Sequence, residues 1–127
     1  ATDLWVVKKE GRKWGKAKAL SDIINTSGRE TTPYITPDGK HLFFSSNGHV
    51  GMGGFDIYVS TKNKKGEWGE PINLGSIVNT VNDDTHFQYY PELKKAVISG
   101  INNFDGYFSY DIFEIDLENN KLPFLDD

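Results

Sequence analysis

The chain has no cysteine, a single methionine and no long apolar run. Without cysteine there is no disulfide frame, no thiolate zinc site and no thiol nucleophile, and the redox compartment stays open. The longest apolar stretches, such as Leu42-Phe43-Phe44, fall far short of the roughly 20 residues a membrane-spanning helix requires. A basic excess is missing too. Fourteen Lys and Arg against eighteen Asp and Glu give a net charge of −4. That balance argues against a general nucleic-acid binder or a basic membrane-surface patch. No window shows a 3.6-residue apolar stripe, so long amphipathic helices are not expected. The opening ATDLWVVKKEG does not read as a signal peptide. At 127 residues, one domain is expected.

Thirteen glycines, eight Phe, six Tyr and three Trp lean towards strands and turns. They are also arranged repetitively. Asp3-Leu4-Trp5, Asp56-Ile57-Tyr58 and Asp111-Ile112-Phe113 recur at separations of 53 and 55 residues. Trp14-Gly15 returns as Trp68-Gly69, and Ile24-Asn25-Thr26 as Val78-Asn79-Thr80, each 54 apart. Leu42 to Ser46 aligns with Ala96 to Gly100, and Pro37-Asp38-Gly39-Lys40 with Pro91-Glu92-Leu93-Lys94, at the same offset. Such a period sets the architecture before any single residue is considered.

One unit holds four candidate strands. They are Thr32–Thr36, His41–Ser46, Phe55–Thr61 and a short piece over Pro71–Leu74, with the Pro-Asp-Gly-Lys turn closing the first hairpin. Pro71 lacks an N–H, so the fourth strand is expected at an edge. ALSDIINTSG could hold one helical turn, although its twin NLGSIVNTVN is a poor helix former. Four antiparallel strands in a 54-residue period predict an all-β β-propeller. The units run over about 1–29, 30–83 and 84–127, roughly two and a third blades. A sandwich of duplicated halves is the alternative.

ETTPYITPDGKHLFFSSN, GMGGFDIYVS and GEWGEPINLGSIVNT together resemble the PD40 repeat, the WD40-like unit of TolB-type propellers. The variant with GGxDIY, WGxPxNLG and INT is similar to blades of periplasmic OmpA-like lipoproteins of Bacteroidota, over nearly all of residues 3–117. The resemblance implies a non-enzymatic propeller segment that binds other proteins at the cell envelope, in the periplasm and associated with the outer membrane. It allows a place in the type IX secretion apparatus. No cofactor is implied. Gly48 departs from the pattern, where the family often has Arg, and the third unit has lost its Gly-Gly and its Trp-Gly. So few strands would leave edges and aromatic faces open. The remainder of a larger propeller, or further copies of this chain, would have to cover them.

In a propeller the loops after strands four and two share one rim. That rim would gather Arg29, Glu30, Asn82, Asp83 and Asp84 with Asn47, His49, Asn102, Asn103 and Asp105 as candidate binding residues. Asp83 and Asp84 are adjacent, which suits backbone capping better than a catalytic carboxylate pair. NNFDG is oxygen-rich but lacks the spacing of a calcium loop. The three histidines form no zinc spacing. PDGK looks superficially like a sialidase Asp-box, without the Trp that should follow. Asp3, Asp56 and Asp111, with Trp14 and Trp68, are expected to be structural marks of the repeat. A glycan-binding or glycoside-processing propeller, using rim acids and Tyr34, Tyr89 or Tyr90, is the alternative function.

Overall fold

The computed structural model describes residues 2–51, 53–104 and 107–123, and the side chains of all of these except 102–104, 107 and 108. The chain is all-β. Strands β1 (Trp5–Val6), β2 (Lys9–Glu10), β3 (Lys13–Trp14) and β4 (Lys18–Ala19) form the first unit. β5 (Glu30–Ile35), β6 (His41–Ser46), β7 (Asp56–Thr61) and β8 (Ile72–Asn73) form the second. β9 (Thr85–Tyr90), β10 (Lys95–Phe104) and β11 (Tyr107–Asp116) form the third. The second unit is a four-stranded antiparallel meander in the order β5-β6-β7-β8, with the strand after Pro71 at its edge. The third is a β9-β10-β11 meander. In the first, β1 pairs with β4 while β2 and β3 make a separate hairpin between them.

Alternation along β6 and β7 divides the hydrophobic load of the middle sheet. Phe43 opposite Val59 and Ser45 opposite Ile57 lie on one face, and Phe44 opposite Tyr58 lies on the other. The first face packs with Phe87, Ala96, Ile98 and Ile115 of the third unit, and the second with Leu4 and Ile24 of the first. Both faces are covered, which explains why HLFFSS and DIYVS read as continuous buried runs. The Phe43 and Phe87 rings meet at 4.5 Å between centroids, at the centre of the larger cluster. Burying side chains of this size contributes about 1.5–3 kcal/mol each.

Backbone bonds tie the sheets together at repeated positions. Glu30 N–H donates to Thr2 C=O, and Asp84 N–H to Phe55 C=O. β5 and β9 are also interrupted alike. Thr32 (φ 47°) and His86 (φ 57°) stand 54 residues apart in the left-handed region, each at a register shift against its neighbour strand. His86 N–H donates to the Thr32 hydroxyl, so one bulge holds the next.

ALSDIINTSG and its twin each make a single helical turn, with Asn25 and Asn79 N–H donating four residues back to Ser21 and Gly75 C=O. The first hairpin turn of the second unit uses Gly39 at φ 74°. In the third unit a 3₁₀ turn, Pro91–Leu93, ends in left-handed Lys94, which replaces the missing glycine. One expectation is corrected. Asn102 and Asn103 are not in a loop; they pair with Ser109 and Phe108 in β10 and β11, because the third hairpin continues where β6 ends.

Candidate functional site: the rim between units

The sharpest repetition lies where one unit hands over to the next. Asn25 is buried and clamps strand β1: its Oδ1 accepts from Leu4 N–H at 2.8 Å and its Nδ2 donates to Leu4 C=O at 3.0 Å. Asn79 does the same to Ile57 in β7, at 2.7 and 3.0 Å, and also donates to Asn73. The amide imitates a strand partner where the sheet has ended. The residue after each asparagine is threonine. Thr26 donates its N–H and hydroxyl to Glu30, and Thr80 donates the same pair to Asp84. Each threonine hydroxyl in turn accepts a backbone N–H two residues on, from Gly28 and Asn82.

Glu30 and Asp84 are thus built into the fold. Glu30 is wholly buried and Asp84 is 1% exposed. Burial pushes the Asp84 carboxyl up, the Thr80 N–H and hydroxyl pull it back, and the charges of Asp56 and Asp83 add to the rise. Asp83 accepts from Phe55 N–H at 2.9 Å, so the adjacent acids cap different backbone groups. Neither has the exposed, paired geometry of a catalytic carboxylate.

The loop after β6 bridges the two handovers. Asn47 accepts from Arg29 N–H at 2.7 Å, and the His49 ring bonds to Ile24 C=O at 2.8 Å. His49 also packs edge-on to Phe44 and at a tilt against Tyr58, a packing role. The structure therefore brings Arg29, Glu30, Asn47 and His49 together at one junction, and Asn82, Asp83 and Asp84 together at the next. Only the backbones of Asn102 and Asn103 are described, and Asp105 lies outside the described residues. Among the described residues no group of three His, Asp or Glu could hold a metal.

Of the three repeated aspartates, only Asp56 is buried; Asp3 is exposed and Asp111 half-buried. Asp56 accepts from Asn73 of β8, and it alone has a complete four-stranded sheet around it. Trp68 packs on the smaller cluster, whereas Trp14 is 68% exposed. Each has a lysine over its ring, Lys62 at 5.0 Å and Lys9 at 5.9 Å. Tyr34 donates to Tyr89 C=O and Tyr58 to Val50 C=O, which ties both to the scaffold. Tyr90 is exposed and donates to Gln88.

Sequence reasoning passed over Val50 and Val81, which stand exposed in the two loop classes of this rim at 94% and 74%. Lone valines between glycines and polar residues carry no periodic signal. No family model, curated protein or solved structure matches the chain.

Proposed function

We propose that this chain is a segment of a PD40-type β-propeller and acts as a non-enzymatic scaffold for protein–protein interaction at the bacterial cell envelope. The observation that carries this reading is the middle sheet: a four-stranded meander covered on both faces by its sequence neighbours, with the same asparagine clamp at each handover. Wedged sheets of this kind become stable side by side. The place in the periplasm, at the outer membrane, rests on the sequence resemblance alone.

The rim supports binding better than turnover. Its acids each cap a backbone N–H, while Val50 and Val81 offer apolar contacts among polar residues, as interaction surfaces do. The test is capture of a defined partner from an envelope fraction by the wild-type chain and by a Val50→Glu/Val81→Glu variant. Capture lost in the folded variant supports the scaffold. Reproducible glycoside turnover that disappears with Asp83→Asn/Asp84→Asn would replace it with the glycan-processing reading.

A further inference from the structure

The two handovers are built alike up to the residues that close them. In the first, Glu30 receives a third donor, the Ser46 hydroxyl at 2.6 Å, and His49 covers the turn by bonding Ile24 C=O. In the second, Asp84 is one methylene shorter, and Gly100 stands where Ser46 stands in the repeat. Asp84 takes the Thr80 N–H at 2.7 Å on one oxygen and shares the Thr80 hydroxyl between both at 3.2 and 3.3 Å. Among the described residues, no side chain supplies the donors that Ser46 and His49 supply at the first junction.

A pocket of about 260 Å³ occupies this place, lined by Asp84, Thr80, Gly100, Ile77, Ile101 and Phe113 among others. Gly100 marks its crux. The point where a Cβ would sit is 3.7 Å from Asp84 Oδ1 and 3.0 Å from the Phe113 ring. The ring thus lies across the bare glycine, next to the carboxylate. Phe113 is 39% exposed. A desolvated carboxylate beside an aromatic face, with apolar walls, matches one common chemistry. A guanidinium is weakly hydrated, forks onto carboxylate and hydroxyl oxygens, and stacks on aromatic rings; its aliphatic stem suits isoleucine walls. Because Asp84 is already out of water, an incoming cation strips little solvent from it and is attracted through a medium of low polarity.

We propose that the pocket between the second and third units takes an arginine side chain of the partner protein, its guanidinium on Asp84 and its flat face on Phe113. The source of the arginine rests on the scaffold reading; the chemistry of the pocket does not. The test is titration of the whole chain with N-acetyl-arginine-N-methylamide, followed by the backbone amide resonances of Thr80, Gly100 and Ile101. The neutral citrulline counterpart serves as control. The expected result is saturable shifts at those three amides with a Kd of about 1 mM. Citrulline should bind at least about tenfold more weakly. Gly100→Ser restores the hydroxyl of the first junction and should abolish binding in a folded protein; Asp84→Asn should weaken it at least about tenfold. Equal binding of citrulline, absence of shifts, or binding that survives Gly100→Ser overturns the proposal. The citrulline comparison uses only the wild-type chain, so it decides even if a variant fails to fold. No shifts alongside intact partner capture would remove the pocket and keep the scaffold. Arginine binding with no captured partner would keep the pocket and remove the scaffold.

Discussion

Asn79 shows how much one side chain can hold. Its amide accepts from Ile57 N–H and donates to Ile57 C=O in a buried place; because Leu74 N–H also reaches that C=O, Asn79→Ala leaves the Ile57 N–H without a partner. The expected cost is about 1–3 kcal/mol, read as a lower urea midpoint with unchanged slope. Asn25→Ala should act in the same direction but more weakly, since β1 and β4 form a two-stranded sheet with fewer interactions to lose. Asp84 predicts a pH effect of definite sign. Its carboxyl holds a proton more tightly in the folded chain than in the unfolded one, whose ordinary value is 3.8. Protonation therefore favours folding, and this contribution is lost as pH rises from 3.8 through the raised folded-state value. Asp38 and Asp116 work oppositely, their carboxyls lowered chiefly by side-chain hydrogen bonds from Thr36 and Asn119. The difference in stability between wild type and Asp84→Asn, measured across that window, isolates the Asp84 share. The wild type should lose ground to the variant as pH rises; a flat difference would contradict the assignment.

At the scale of elements, the bulges at Thr32 and His86 were not readable in the sequence. Neither position carries glycine, and a β-branched residue at positive φ is the last that propensity would place there. Their equivalence emerges only from backbone angles, and His86 N–H bonding to Thr32 shows what they do: they set β9 against β5. His86 is exposed, so its backbone can be tested without disturbing the core. His86→Val should cost about 1–2 kcal/mol because branching at Cβ aggravates the left-handed conformation. His86→Gly should be near neutral, as relief of strain offsets the greater entropy of unfolded glycine. Thermal unfolding of the pair checks this, and equal effects would argue against a strained bulge. The hairpin turns teach a milder form of the same lesson. Gly39 was legible as a positive-φ residue, whereas Lys94 takes that role in the third unit only because pairing of β9 with β10 forces the chain round.

Across the whole molecule, the middle sheet is sandwiched and the outer two units each present an open face. Trp5 and Trp14 lie exposed in the first unit, and Tyr110 and Ile112 on β11, whose outer edge is unpaired among the described strands. Such a surface invites association. Sedimentation velocity of the chain should show concentration-dependent self-association. A Tyr110→Lys/Ile112→Lys variant should weaken it by about 2 kcal/mol, or roughly 30-fold in Kd. If the doubly substituted chain associates as strongly as the wild type, the outer face of β11 is not the surface involved.

The order of residues by itself determined the period and the strands of the middle unit to within a residue or two. Alternation of apolar side chains and turn chemistry are local, and they are written in consecutive positions. The tertiary structure decided what the polar residues of the repeat are for. Whether Glu30 or Asp84 caps a turn, whether Asp56 is buried when Asp3 is not, and whether Gly100 opens a pocket where Ser46 closes one all depend on which neighbour stands opposite. Those neighbours stand 4 to 17 residues away in the chain and are brought opposite by turns and strand pairing, for which the sequence pattern alone carries no geometry.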